Sequence, residues 1–90
     1  MTAERTVTIC NPRGLHARAS AKFVAEADQY DARVSVARDG EQVRADSIME
    51  LLMLAAGPGA SITIRAEGAQ ADAAVDALAA LVECGFNEID

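Results

Sequence analysis

Asp39-Gly40 stands between a run that alternates with period two, Ala32-Arg33-Val34-Ser35-Val36-Ala37, and a shorter polar run, Glu41 to Ala45. Asp-Gly suits a type I′ turn, whose two central residues need positive φ. A two-residue turn of this kind makes its flanking strands antiparallel neighbours. The fold must therefore contain a sheet with at least one hairpin. Two further runs alternate: Thr6 to Cys10, with Val7 and Ile9 inward, and Ser61 to Ala66. They predict two more half-buried strands. Between the strands lie segments of helical period. One runs from His16 to Ala27, with Ala19 or Ser20, Phe23, Val24 and Ala27 on one face. A second covers Ile48 to Ala56, stopped by Gly57-Pro58-Gly59. The third, Ala71 to Glu83, places Ala71, Ala74, Val75, Leu78, Leu81 and Val82 on one stripe. Gly85 reads as a stop and Phe86 to Asp90 as a tail. The order is β-α-β-β-α-β-α. It predicts an α+β two-layer sandwich, a four-stranded antiparallel sheet covered on one face by three helices. Thr6, Thr8, Ser35, Thr63 and Arg65 fall on the uncovered face. With 90 residues, positions 1–90 form a single domain.

Such a chain buries only about 60% of the surface that its unfolded form exposes, so its core is small. Aromatics are 3% of the sequence, and much of the 51% hydrophobic fraction is alanine, which favours helix but fills little volume. The formal net charge is −6. That balance argues against a nucleic-acid binder and against a polybasic membrane attachment, both of which need a basic face. No apolar stretch reaches the roughly 20 residues of a membrane span, and the first residues have no signal-peptide pattern. A cytoplasmic protein is expected. Cys10 and Cys84 belong to no Cys-x-x-Cys pair, and one histidine cannot complete a zinc site with them. No metal and no cofactor is expected, and the two thiols read as buried or idle in a reducing compartment.

The chemistry-bearing segment is Gly14-Leu15-His16-Ala17-Arg18-Ala19. It follows the turn cluster Asn11-Pro12-Arg13-Gly14 and opens the first helix. His16 is the one histidine of the chain. Imidazole, with an ordinary pKa near ~6.5, is substantially neutral at cell pH and can act as a nucleophile. Unpaired amides of the first turn, about Ala17 to Ser20, together with the helix dipole, favour an incoming dianion. Arg18, and Arg13 in the preceding turn, can add charge-assisted contacts. The arrangement suits a phosphoryl group held on His16, because phosphoryl transfer is governed mostly by positioning and charge stabilisation. A lone histidine near a helix start is also a common surface or capping residue. No triad accompanies it, so a self-contained hydrolase is not indicated.

The stretch Asn11 to Val24, Asn-Pro-Arg-Gly-Leu-His-Ala-Arg-Ala-Ser-Ala-Lys-Phe-Val, resembles the active-site segment of HPr. HPr is the histidine-containing phosphocarrier of the phosphoenolpyruvate-dependent phosphotransferase system. A second stretch, Ala45 to Leu54, is similar to the regulatory-serine helix of the same family. The resemblance spans roughly Arg5 to Val82. It implies an open-faced β-sandwich and a stoichiometric carrier rather than an enzyme. It also implies phosphorylation of His16 at Nδ1 by Enzyme I and transfer to an EIIA-type acceptor. Arg18 carries over as the phosphate-stabilising arginine. Ser47 carries over as the residue modified by an HPr kinase/phosphorylase in lineages that have one. Ala19 stands where the family commonly has proline, which leaves an extra donor at the helix start. Arg13 and Glu50 also depart from the usual pattern. The acidic surroundings, Glu26, Asp46 and Glu50, dilute the basic field of Arg13, Arg18 and Lys22. They point to a nitrogen-related or regulatory branch rather than a high-flux sugar importer.

Ser47 also fits a structural role. Ser47-Ile48-Met49-Glu50 matches a capping box, in which the serine oxygen accepts from an amide and the glutamate reaches back. A phosphate there would face Asp46 and Glu50, so the expected switch is added negative charge against Enzyme I rather than refolding. The helix that follows is too apolar for one buried stripe. Met49 and Leu52 are expected to form an exposed patch beside His16, the centre of a docking surface that Lys22 completes. A monomer is the default. The competing reading is a regulatory interaction module of a nitrogen-related branch, switched at Ser47. A small-ligand domain of the ACT kind would have no need of His16.

Overall fold

In a computed structural model, residues 1–88 are described. β1 (Thr2–Thr8), α1 (Ala17–Ala27), β2 (Arg33–Arg38), β3 (Glu41–Arg44), α2 (Ile48–Met53), β4 (Ser61–Glu67) and α3 (Ala71–Glu83) follow in the expected order. The sheet order is β1-β4-β2-β3, and every neighbouring pair is antiparallel. This is the four-stranded sheet with three helices that the sequence predicts.

Each strand divides its residues between two faces. Val7 pairs with Ile62, and Val36 with Ile64; all four are buried beneath the helices. On the open face Thr6 pairs with Thr63, and their hydroxyls lie 3.0 Å apart. Phe23 from α1, Leu51 from α2 and Leu78 and Val82 from α3 fill the layer between helices and sheet. Alanines at positions 19, 71, 74 and 79 are fully buried, which lets the helices approach the sheet closely. Asp39 and Gly40 have φ of 50° and 85°, the pair of left-handed residues that the hairpin demands.

Three boundaries differ from the sequence reading, each for a tertiary reason. β1 starts at Thr2, because the chain before Thr6 continues to pair with β4 as far as Glu67. α2 ends at Met53 rather than Ala56. Ala55 turns left-handed (φ 51°), and Arg38 Nη1 donates to the Leu54 carbonyl at 2.8 Å, taking over helix-end acceptors. The third is the C-terminal tail. Gly85–Asn87 form a 3₁₀ turn, and Phe86 is fully buried at φ 57°. One aromatic in a polar stretch has no periodicity to reveal it. Cys10 and Cys84 are both free and exposed, not buried.

Candidate functional site

The site begins where β1 gives way to a turn. The Gly14 amide donates to the Asn11 carbonyl at 3.1 Å, and Gly14 adopts φ 63°. A Cβ on Gly14 would lie 2.5 Å from the Ala56 carbonyl oxygen and 2.7 Å from Gly57 Cα. Glycine is needed here for conformation and for space. The next amide, Leu15, donates to the same Ala56 carbonyl at 2.8 Å. The turn is thus fastened to the segment that follows α2, and the buried Leu15 anchors it to the core.

His16 is the N-cap of α1, with extended backbone (φ −76°, ψ −177°). Its Nδ1 accepts from the Arg18 amide at 3.2 Å, an imidazole doing what a serine or aspartate oxygen commonly does at this position. Nδ1 therefore carries a lone pair aimed at the helix start. The ring is half-buried, its side chain 21% exposed. The Ser20 amide donates to the His16 carbonyl at 2.8 Å. Ser20 thus closes the first helical hydrogen bond, and the amides without an intrahelical acceptor are one fewer than the Ala17-to-Ser20 set expected. They are those of Ala17, Arg18 and Ala19.

Arg13 and Arg18 are exposed, and among the described residues neither forms an ion pair. Lys22 acts differently. Its Nζ donates to the Phe86 carbonyl at 2.7 Å and holds the C-terminal turn against α1. On α2, Met49 is 70% and Met53 72% exposed, with Ile48 at the margin. Leu52 is only half-buried. The exposed apolar patch on this helix is therefore Met49 with Met53, more than Met49 with Leu52. Six helical residues cannot turn every large side chain inward.

Ser47 caps α2, its Oγ accepting from the Glu50 amide at 3.3 Å. The other arm of the capping box goes elsewhere. Glu50 Oε1 accepts from the Arg44 amide at 3.2 Å, joining the helix to β3 rather than to Ser47. Arg44 and Asp46 form an ion pair of 2.6 Å beside the cap, which holds the Asp46 carboxyl below the usual carboxylate range.

Sequence reasoning missed Glu88. Its Oε2 meets His16 Nε2, and its Oε1 accepts from Asn11 Nδ2 at 3.0 Å. Asn11 is buried and gives its other amide hydrogen to the Gly14 carbonyl at 2.8 Å. The hydrogen bond from His16, then that from Asn11, lowers the Glu88 carboxyl below its ordinary range against the opposing effect of burial. A single acid a few residues past a glycine gives no signal in sequence; only the buried Phe86 fold-back brings it to the ring.

The pattern described as the PTS HPr component phosphorylation site matches residues 3–84. The chain belongs to the HPr family. Phosphocarrier protein NPr of Shewanella violacea is 46% identical over 85 residues, covering 94% of this chain and 93% of that one. Phosphocarrier protein HPr of Cupriavidus necator is also 46% identical, over 94% of this chain and 96% of its own. Among solved structures, HPr-C-His from Thermoanaerobacter tengcongensis superposes with a TM-score of 0.92 at 36% identity, covering 98% of this chain and 99% of that one. An HPr-family phosphocarrier is thus folded around His16 as the cap of α1. No helix among the described residues is long and apolar enough to cross a membrane.

Proposed function

We propose that this chain is a cytoplasmic, monomeric phosphocarrier that accepts a phosphoryl group from Enzyme I on His16 Nδ1 and passes it to an EIIA-type acceptor. One observation carries the reading: Nδ1 of a half-buried imidazole accepts from the Arg18 amide at the start of an eleven-residue helix, where the first-turn amides have no intrahelical acceptor. The Nδ1 lone pair attacks phosphorus, and the donor keeps the electrons of the bond it loses. The new P–N bond replaces the contact with the Arg18 amide. The phosphoryl oxygens then take up the amides of Ala17 and Arg18, with the dipole behind them. The Arg18 and Arg13 guanidiniums supply positive charge from the solvent side. Nothing in this cycle requires a cofactor. Return of the group to an acceptor is the reverse of its arrival, so the carrier is stoichiometric and not an enzyme.

Met49 and Met53, with Leu52 at their edge, supply the apolar part of the docking surface. A flexible thioether suits a face that must fit a donor and an acceptor in turn. Lys22 contributes through the C-terminal turn it holds. Ser47 is the regulatory position, open to an HPr kinase/phosphorylase. A phosphate there adds charge beside Asp46 and weakens docking to Enzyme I. The 46% identity to an NPr, equal to that to an HPr, fits in part a second setting, a nitrogen-related branch in which partner binding would be switched at Ser47. In that setting binding survives His16→Ala and changes with Ser47→Asp.

The test is labelling. With Enzyme I and labelled phosphoenolpyruvate the chain takes up an acid-labile, base-stable phosphoryl group, and His16→Ala takes up none. Unchanged labelling of His16→Ala overturns the assignment.

A further inference from the structure

We propose that Glu88 is a positioning residue: pinned by Asn11, its carboxylate holds His16 in the Nε2–H tautomer and covers Nε2, so that only Nδ1 can be phosphorylated. This rests on the carrier reading and adds to it a reason for the choice between two similar nitrogens. An unrestrained imidazole offers both. Here each nitrogen has its own partner. Nδ1 accepts from the Arg18 amide, which is a donor and cannot be served by an N–H. Nε2 faces a carboxylate, which when ionised only accepts. The two contacts agree on one tautomer, with the proton on Nε2 and the lone pair on Nδ1.

The carboxylate is built into place. Phe86 is fully buried in the turn that delivers Glu88, and Lys22 holds the Phe86 carbonyl. Asn11, only 3% exposed, holds the second carboxylate oxygen and ties it to the Gly14 turn that sets His16. The Glu88 side chain is itself only 12% exposed. A phosphoryl donor approaching Nε2 must displace this carboxylate and meet its charge. Approaching Nδ1, it meets amides. Attack through Nδ1 turns the ring into a phosphoimidazolium that keeps its Nε2 proton. No base is needed, and the cationic ring is left against the carboxylate.

The decisive comparison uses the full chain with ¹⁵N-labelled histidine, the parent against Glu88→Ala, with Glu83→Ala as an exposed-carboxylate control. Two-bond ¹H–¹⁵N spectra at mildly alkaline pH read the tautomer of the neutral ring. The regiochemistry is read by ³¹P–¹⁵N coupling after treatment with phosphoramidate. This small donor loses ammonia as its phosphoryl group moves to the ring. The parent and Glu83→Ala should be Nε2–H and form the Nδ1 adduct. In Glu88→Ala the tautomer ratio should shift about tenfold toward Nδ1–H, the scale of losing one hydrogen bond to a charged group, and Nε2 adduct should accumulate. A parent found as Nδ1–H, or a Glu88→Ala variant matching the parent in both readouts, overturns the proposal. Phosphoramidate needs no partner protein. Failure of Enzyme I to label His16 would therefore strike the carrier reading and leave this measurement standing.

Discussion

At the scale of single residues, Gly14 and His16 do separate work at adjacent corners of one turn. Gly14 combines a left-handed backbone with a backbone approach that leaves no room for a Cβ. Gly14→Ala should lower folding stability by about 3 kcal/mol, since strain and overlap act together. Urea denaturation should show the midpoint falling. His16, Arg18, Ala17 and Arg13 were legible as a cluster because a turn signal, a helix start and the one histidine coincide in a single short segment. The loss of Ser20 from the amide set was not legible, because it depends on which residue caps the helix. Glu88 was illegible for another reason. Its role is set by contacts 72 and 77 positions away in sequence, with His16 and Asn11.

Among the elements, α2 is the one whose ends are determined from outside. Its start is capped by Ser47, its first-turn glutamate is committed to β3, and the carbonyl of its C-cap Leu54 is held by Arg38 from the hairpin. Ser47→Ala should cost about 1 kcal/mol, with the denaturant slope unchanged, as for loss of one N-cap. Ser47→Asp restores a capping acceptor, so it should recover most of that stability while weakening Enzyme I binding in titration calorimetry. Strands and helices were readable from their periods wherever a face was continuous, as in α3, whose range matches the sequence reading. The length of α2 was not, because an apolar run carries no mark of where Arg38 will cap it. The C-terminal turn hides in the same way. Phe86→Ala should cost about 3–5 kcal/mol for a buried aromatic. The same change should release the Lys22 contact, visible as a loss of amide protection across Gly85–Glu88 in hydrogen exchange.

For the whole molecule, two carboxylates with lowered pKa make stability depend on acid. Glu88, held down by His16 and Asn11, and Asp46, held down by Arg44, bind fewer protons folded than unfolded. Their contribution is complete above the ordinary carboxylate range and is lost as pH falls through their lowered values. Thermal melts on acidification should therefore show the midpoint falling below the ordinary carboxylate range. Glu88→Gln should flatten part of that fall. The chain's net charge is −6, and among the described residues Arg13 and Arg18 form no ion pair, so the proposed docking would rest on local complementarity more than on long-range steering. The proposed carrier cycle places the phosphoryl group on His16 Nδ1 at the start of α1, among the first-turn amides. It is tested most directly by ¹H–¹⁵N spectra of the chain before and after phosphorylation by Enzyme I. The largest downfield amide shifts should fall at Ala17 and Arg18, disappearing as the label is removed by acid. A fully phosphorylated chain in which those amides do not move would contradict it.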